Sequence, residues 1–131
     1  MMNRRCLWLI VLMVYIVFVF YLAVISRDVV KQSFICTDLF RCYLKPSGDN
    51  YKDVLVNIVG FIPVGLLTGI ISQKHRVLTA LLVGLLVSLA VECSQLVWKK
   101  GVFDVDDIFN NAVGALLGGI MAVVVMRPKD T

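Results

Sequence analysis

The sequence is short of charge, and it contains a single glutamate and a single histidine. Charged residues make up 17% of the 131 residues and hydrophobic residues 60%, whereas a soluble domain is typically about a quarter charged and about half apolar. The four cysteines form no CxxC pair and no zinc-type spacing with the histidine. This composition argues against a disordered chain, a collagen, a disulfide-rich scaffold and a soluble enzyme, and we expect neither a metal nor another cofactor.

Four long apolar runs dominate what is present. A helix needs about 20 apolar residues to cross a bilayer core, and these runs lack the two-residue alternation of barrel strands. We therefore predict an all-α integral membrane protein, a four-helix bundle forming a single domain over residues 1–131. The predicted spans cover residues 7–25, 54–72, 77–98 and 108–126. Between the first two spans, the irregular apolar face of residues 26–53 is compatible with an additional helix, formed by part of this segment, that lies on the membrane surface.

The basic residues lie between the apolar runs rather than along one face. The net charge of +4 therefore indicates control of membrane topology and not a nucleic-acid partner. If the N-terminus faces inward, the inner segments hold six Lys and Arg in 15 residues and the outer segments seven in 37. Because positively charged short flanks stay inside, we predict that both termini are cytoplasmic.

Two of the cysteines, Cys36 and Cys42, lie six positions apart between the first two spans. They would form a disulfide if this segment faces an oxidising compartment. The alternative is that both are small apolar side chains on the predicted surface helix. The sequence leaves this choice open.

The single glutamate, Glu92, falls inside the third apolar run. An ionisable side chain within a membrane helix is costly and is a functional candidate for that reason. Gly84, Ser88 and Gln95 share its helix face, because they stand three, four or eight residues away. We therefore predict that this face contacts protein or water rather than lipid chains.

Further polar side chains are expected at a similar membrane depth. At 1.5 Å per residue, Asn57, Gln95 and Asn111 lie about 4.5 Å inside their spans and Glu92 about 9 Å. Alternating helix directions bring all four to one membrane face, the extracytoplasmic face in the predicted orientation, and we predict a shallow polar cavity there. The candidate ligand-binding residues are Asn57, Glu92, Gln95, Lys99, Lys100, Asp104, Asp107 and Asn111. Glu92 is also the candidate catalytic residue if the protein is an enzyme.

Structural roles are open for several of these residues. Asp106 or Asp107 could cap the fourth helix, and Asp106 is the better candidate for that role. The three amides could join helices by hydrogen bonds. Lys99 and Lys100 could anchor the end of the third helix at the membrane surface.

The ordered motifs of the chain resemble the VanZ-like family. They are Asn57-Ile-Val-Gly-Phe61-Ile-Pro63, Glu92-Cys-Ser-Gln95, Phe103-Asp104-Val-Asp-Asp107 and Asn111-Ala-Val-Gly114. The resemblance implies a bacterial inner-membrane protein of the cell envelope, with a link to glycopeptide and in particular teicoplanin resistance. One departure is that the family pattern has an arginine at the position of Gly101. Because lysine lacks the guanidinium fork, an anion-binding role would be lost here or pass to the lysines just upstream.

Three kinds of function stay open on the sequence alone. The favoured one is a binding protein whose cavity recognises a lipid headgroup, a peptidoglycan precursor, or another envelope glycolipid or lipoglycopeptide. The second is an intramembrane hydrolase or transferase for a lipid-linked substrate, with Glu92 as acid or base. The third is an assembly subunit or homo-oligomer. Gly65-xxx-Gly69 and Gly114-xxx-Gly118 can pack helices between chains, although such pairs more often pack helices within one bundle.

Overall fold

The computed structural model describes residues 3–40, 44 and 48–126, and four α-helices account for most of them. In chain order these are α1 (Arg4–Phe20), α2 (Gly48–Ile71), α3 (Arg76–Val97) and α4 (Val105–Val125). A π-helix, Tyr21–Ile25, extends α1 by one wider turn, and two short strands, β1 (Ile35–Cys36) and β2 (Phe103–Asp104), lie in the connections. The predicted all-α four-helix bundle is confirmed.

All four helices contain windows that are long and apolar enough to cross a membrane. In hydrocarbon a helix satisfies its own backbone hydrogen bonds, which is why uninterrupted apolar runs adopt this form. The Asn3 side chain caps α1 by accepting the Arg5 N–H at 3.2 Å. The helix bounds lie close to the predicted spans, except that α2 starts six residues earlier than expected and α1 and α4 each start three residues earlier. Pro63 lies within α2, which continues through it.

Close packing of α4 against its neighbours depends on residues without large side chains. A Cβ added at Gly118 would lie 2.1 Å from the Ile62 carbonyl oxygen of α2. A Cβ added at Gly65 would lie 2.0 Å from the Ala115 carbonyl oxygen of α4. The other two glycines of the predicted small-xxx-small pairs also have close contacts within the chain. Both pairs therefore pack helices inside this bundle.

The apolar core between α1 and α2 is centred on Leu12, Phe61, Val64 and Leu67. A polar contact also joins these helices: the Tyr15 hydroxyl donates a hydrogen bond to the Gly60 carbonyl oxygen at 2.9 Å. The remaining outward faces carry large apolar side chains that are exposed in the isolated chain. Such faces suit a lipid environment.

At one end of the bundle, residues 26–40 and 98–104 pair with each other; we call this the loop end. Strands β1 and β2 are parallel, with Ile35 opposite Phe103 and Cys36 opposite Asp104. The Val30 N–H also donates to the Lys99 carbonyl oxygen at 2.7 Å. Some of the backbone N–H and C=O groups of residues 26–40 form hydrogen bonds in this way, and these residues contain no helix. The predicted surface helix is therefore wrong for this stretch, and residues 48–53 belong to α2.

Of the two cysteines in this connection, the structure describes only Cys36. Cys36 is buried and carries a free thiol. Cys42 lies outside the described residues, as do residues 41–43 and 45–47 in general. Cys36 therefore forms no disulfide in this structure, and it lies in β1 rather than on a surface helix.

At the opposite end, Arg76 holds the turn between α2 and α3. One of its guanidinium nitrogens donates to the Gly69 carbonyl oxygen at 2.6 Å and to the Ile70 carbonyl oxygen at 3.4 Å. These carbonyls belong to the last turn of α2, where helical partners run out.

We expect Arg76→Ala to lower the free energy of unfolding by about 1.5–3 kcal/mol, because a hydrogen bond from a charged group contributes about that much. Unfolding by SDS in mixed micelles, followed by far-ultraviolet circular dichroism, measures the change. Lys74→Ala, at an exposed site in the same turn, is the control. Equal stability of the two variants would contradict the assigned role of Arg76.

Candidate functional site: a polar cavity at the loop end

A cavity of about 160 Å³ lies where the π-helix, α2, α3 and α4 meet near the loop end. Its polar side chains come from α1, α2, α3 and α4 and from Arg27, which lies two residues after the π-helix. The polar and charged residues that line it are Arg27, Asn57, Glu92, Gln95, Asp107 and Asn111, together with the hydroxyl-bearing Tyr15. Five of the eight candidate ligand-binding residues therefore line the same cavity.

Glu92 lies at the centre of this arrangement and is 1% exposed. Its position on α3 puts it on the face shared with Gly84, Ser88 and Gln95, all of which are buried. The Oε2 atom accepts the backbone N–H of Asp104 at 3.0 Å. Glu92 therefore ties α3 to the start of α4 and also lines the cavity.

Two buried amides present oxygen atoms that have no protein partner. The Gln95 side chain donates from Nε2 to the Ala23 carbonyl oxygen at 3.0 Å. The Asn111 side chain donates from Nδ2 to Ser88 Oγ at 2.8 Å. Their oxygens, Gln95 Oε1 and Asn111 Oδ1, are buried without a hydrogen bond. Because such groups normally have partners, these two oxygens are available as acceptors for a bound molecule.

The π-helix explains how Gln95 finds its partner. A helix leaves its last carbonyls without helical donors, and here the chain turns away after Ile25. Ser26 Oγ donates to the Leu22 carbonyl oxygen at 2.7 Å, and Gln95 takes the next carbonyl, that of Ala23. The amide of Gln95 is thereby fixed with its nitrogen toward α1 and its oxygen free.

A second carboxylate borders the cavity from α4. Asp107 Oδ1 accepts a hydrogen bond from Asn57 Nδ2 at 2.6 Å, which joins α4 to α2. Asn57 was predicted at the same depth as Asn111, and both line the cavity with Asp107. The site thus has two carboxylates and three amides on its polar side.

Asp104 and Asp106 have other positions than the sequence predicted. Asp104 is the N-cap of α4, and its side chain accepts the Asp106 N–H at 2.9 Å. The predicted cap, Asp106, is instead 1% exposed and accepts the backbone N–H of Phe40. The correction follows from β2, because strand pairing ends at Asp104 and lets α4 begin three residues earlier than predicted.

The two lysines proposed as ligand-binding residues do not line the cavity. Lys99 is exposed and has a left-handed backbone conformation, with φ of 53°. Lys100 donates from Nζ to the Arg27 carbonyl oxygen at 2.6 Å. Lys100 therefore contacts the cavity's neighbouring segment rather than its interior.

Arg27 and Tyr15 are the two polar cavity residues that the sequence did not predict. A Cβ added at Gly101 would lie 3.4 Å from Arg27 Nη1 and 3.1 Å from Gln95 Oε1. The guanidinium thus occupies the space beside the glycine at which the VanZ-like pattern has an arginine. The only sequence signal is that Arg27 is the first charged residue after the first span, and that signal equally fits a membrane anchor.

The other side of the cavity is apolar. It is formed by Phe18, Val19 and Leu22 near the end of the first span and by Val56 on α2, among others. Phe18, Leu22 and Val56 are also exposed on the outside of the bundle. The polar interior therefore adjoins a surface that would face acyl chains. No group of three or more His, Cys, Asp or Glu side chains able to hold a metal ion occurs among the described residues.

These features define a multi-pass membrane protein with a polar cavity at one end of a four-helix bundle. The chain belongs to the VanZ/LLP1 family, whose profile matches residues 6–126. It is similar to Protein VanZ of Enterococcus faecium, with 32% identity over 69 residues. That match covers 53% of this chain and 43% of the relative's length. No solved structure matches the chain.

Proposed function

We propose that this protein binds the headgroup of an amphiphilic molecule of the bacterial cell envelope. The observation that carries the proposal is the cavity itself, in which buried carboxylate and amide oxygens adjoin exposed apolar side chains of α1 and α2. Glu92 and Asp107 would bind hydrogen-bond donors of the headgroup, while Asn57, Gln95 and Asn111 fix its orientation. The apolar wall would contact the attached chain.

The size of the cavity favours a headgroup over a whole antibiotic. Pockets that enclose drug-sized ligands measure roughly 300–1,000 Å³, whereas this one measures about 160 Å³. A lipid headgroup, or the terminal group of a peptidoglycan precursor or lipoglycopeptide, is of the right scale. By family resemblance we extend the proposal to teicoplanin resistance, in which such binding would alter an envelope component that the antibiotic meets.

The proposal includes an orientation. Both termini would be cytoplasmic in the inner membrane, because Lys and Arg are denser in the flanks at the end of the bundle that holds Arg76 than in those at the loop end. The loop end and its cavity would then face the outer leaflet, where envelope precursors and glycopeptides are accessible.

We expect Glu92→Gln to reduce the amount of co-purifying envelope lipid at least tenfold while the protein stays folded. Glutamine keeps the side-chain length and an oxygen that can accept the Asp104 N–H, but it removes the carboxylate that would bind a donor group. Native mass spectrometry of the detergent-purified chain measures the retained molecules directly.

Ser94→Ala is the matched control for this experiment. Ser94 lies two residues from Glu92 on α3, outside the cavity, and its hydroxyl bonds only the Ala90 carbonyl oxygen of its own helix. Wild-type lipid retention by Glu92→Gln would contradict the proposal. If the wild-type chain instead released the bound molecule with a mass changed by cleavage or group transfer, and Glu92→Gln did not, the protein would be an enzyme with Glu92 as acid or base.

A further inference from the structure

We propose that the cavity selects a zwitterionic phospholipid headgroup, with its phosphate on Arg27 and its primary ammonium on the oxygens of Glu92, Asp107, Gln95 and Asn111. This inference rests on the proposed function and names the class of its ligand. It follows from a cavity lining that combines one cationic donor group, the Arg27 guanidinium, with a set of oxygen acceptors.

The cationic side is the Arg27 guanidinium. It lies beside Gly101, where the absence of a Cβ leaves room for a side chain arriving from another segment. The backbone at Arg27 is held by the 2.6 Å hydrogen bond from Lys100 Nζ to its carbonyl oxygen. A planar guanidinium with five donors binds phosphate through paired hydrogen bonds. Its exposed position at the edge of the cavity suits the phosphate level of a lipid.

The acceptor side lies deeper. Gln95 is 2% exposed and Asn111 3% exposed, and the oxygen of each lacks a partner. The orientation of Gln95 follows from the contact to the Ala23 carbonyl oxygen, which can only accept and so requires the amide nitrogen. Together with the carboxylates of Glu92 and Asp107, each of which accepts one hydrogen bond within the chain, these oxygens form a region rich in acceptors and in negative charge. A primary ammonium supplies three donors and a positive charge.

The charges of the cavity explain why a headgroup with only a phosphate or only an amine would bind poorly. A headgroup with only a phosphate would bring its negative charge toward two carboxylates, and like charges in a poorly hydrated site repel strongly. A headgroup with only an amine would leave the guanidinium unused. A phosphate joined to a primary amine by a short linker meets both requirements, and the apolar residues Phe18, Leu22 and Val56 adjoin the acyl chains.

The test uses the full chain in detergent and native mass spectrometry with three lipids of identical acyl chains. They are phosphatidylethanolamine, phosphatidylcholine, whose quaternary amine has no N–H donor, and phosphatidic acid, which has the phosphate alone. We expect phosphatidylethanolamine to be retained about tenfold over each of the others. Soluble phosphoethanolamine should compete weakly, because it lacks the chains that contact the apolar wall.

Two variants test the phosphate contact and the amine contact separately. Arg27→Gln should reduce retention of phosphatidylethanolamine and phosphatidylcholine by the same factor, about tenfold, because both carry the phosphate. Glu92→Gln should bring phosphatidylethanolamine down to the level of phosphatidylcholine, because it weakens the amine site alone. A general structural defect in Glu92→Gln would instead lower the retention of both lipids together.

A double variant tests the position of the guanidinium. In Arg27→Gln/Gly101→Arg, the new side chain starts 3.4 Å from the present site of Arg27 Nη1. The backbone at Gly101 does not require glycine, because no glycine described here has positive φ. We expect the double variant to recover most of the lost retention. Recovery would support Arg27 as the phosphate contact, and unchanged lipid retention in the single variant Arg27→Gln would contradict it.

The outcomes distinguish this inference from the proposed function. If the wild-type chain retains phosphatidylethanolamine and phosphatidylcholine equally, and Glu92→Gln loses both, headgroup binding stands and selection of a primary ammonium fails. If the wild-type chain retains no more of any lipid than Glu92→Gln does, the proposed function itself fails.

Discussion

Gly118→Ala is expected to lower the free energy of unfolding by about 2–3 kcal/mol, although it adds one carbon atom. That atom would lie 2.1 Å from the Ile62 carbonyl oxygen and 2.5 Å from the Leu66 backbone nitrogen. Both are backbone atoms, so α2 and α4 would have to move apart along their contact. Overpacking of this kind costs about 1–3 kcal/mol, and in membranes the close approach of small residues is a main source of helix association.

Gly60→Ala is the matched control for this measurement. Gly60 is also helical, but an added Cβ there would meet no atom within 4 Å. We expect unchanged stability or a gain of a few tenths of a kcal/mol, because alanine is the better helix former. Reversible unfolding by SDS, followed by circular dichroism, compares the two variants. Equal losses would show that glycine removal itself, and not the α2–α4 contact, determines stability.

The bundle could be predicted from the sequence because lipid restricts backbone structure so strongly. In lipid, each run of about 20 apolar residues can satisfy its backbone hydrogen bonds only as a helix. The helical period of about 3.6 residues then determines which side chains share a helix face. The polar face through Ser88, Glu92 and Gln95 is buried as that period predicts. The shared depth of Asn57, Glu92 and Asn111 also followed from helix length and alternating direction, and these residues line one cavity.

The loop end could not be predicted because it depends on pairing between distant segments. The contact between Val30 and Lys99 and the strand pair at Cys36 and Asp104 join residues nearly 70 positions apart. Apolar residues in such a segment fit a surface helix as well as a strand when periodicity is the only guide. The same pairing decides which aspartate caps α4 and where Arg27 lies, so both features escaped the sequence reasoning.

Asp106→Ala is expected to release the segment that crosses the loop end. The buried Asp106 carboxylate accepts the Phe40 N–H, and the Phe40 ring packs edge-on against Phe109 at 5.3 Å between centroids. A hydrogen bond to a charged group contributes about 1.5–3 kcal/mol. Since 1.4 kcal/mol is a factor of ten in population, the open form of this segment should become roughly 10–100 times more populated.

The buried thiol of Cys36 reports that opening. Replacing Cys6, Cys42 and Cys93 by serine leaves it as the single cysteine, and its labelling by a membrane-impermeant maleimide on intact cells should accelerate by the same 10–100-fold in Asp106→Ala. Asp38→Ala, an exposed aspartate two residues from Cys36, should leave the rate unchanged. Acceleration only after cells are permeabilised would place the loop end in the cytoplasm and reverse the proposed orientation. An unchanged rate in both preparations would show that Asp106 does not hold this segment.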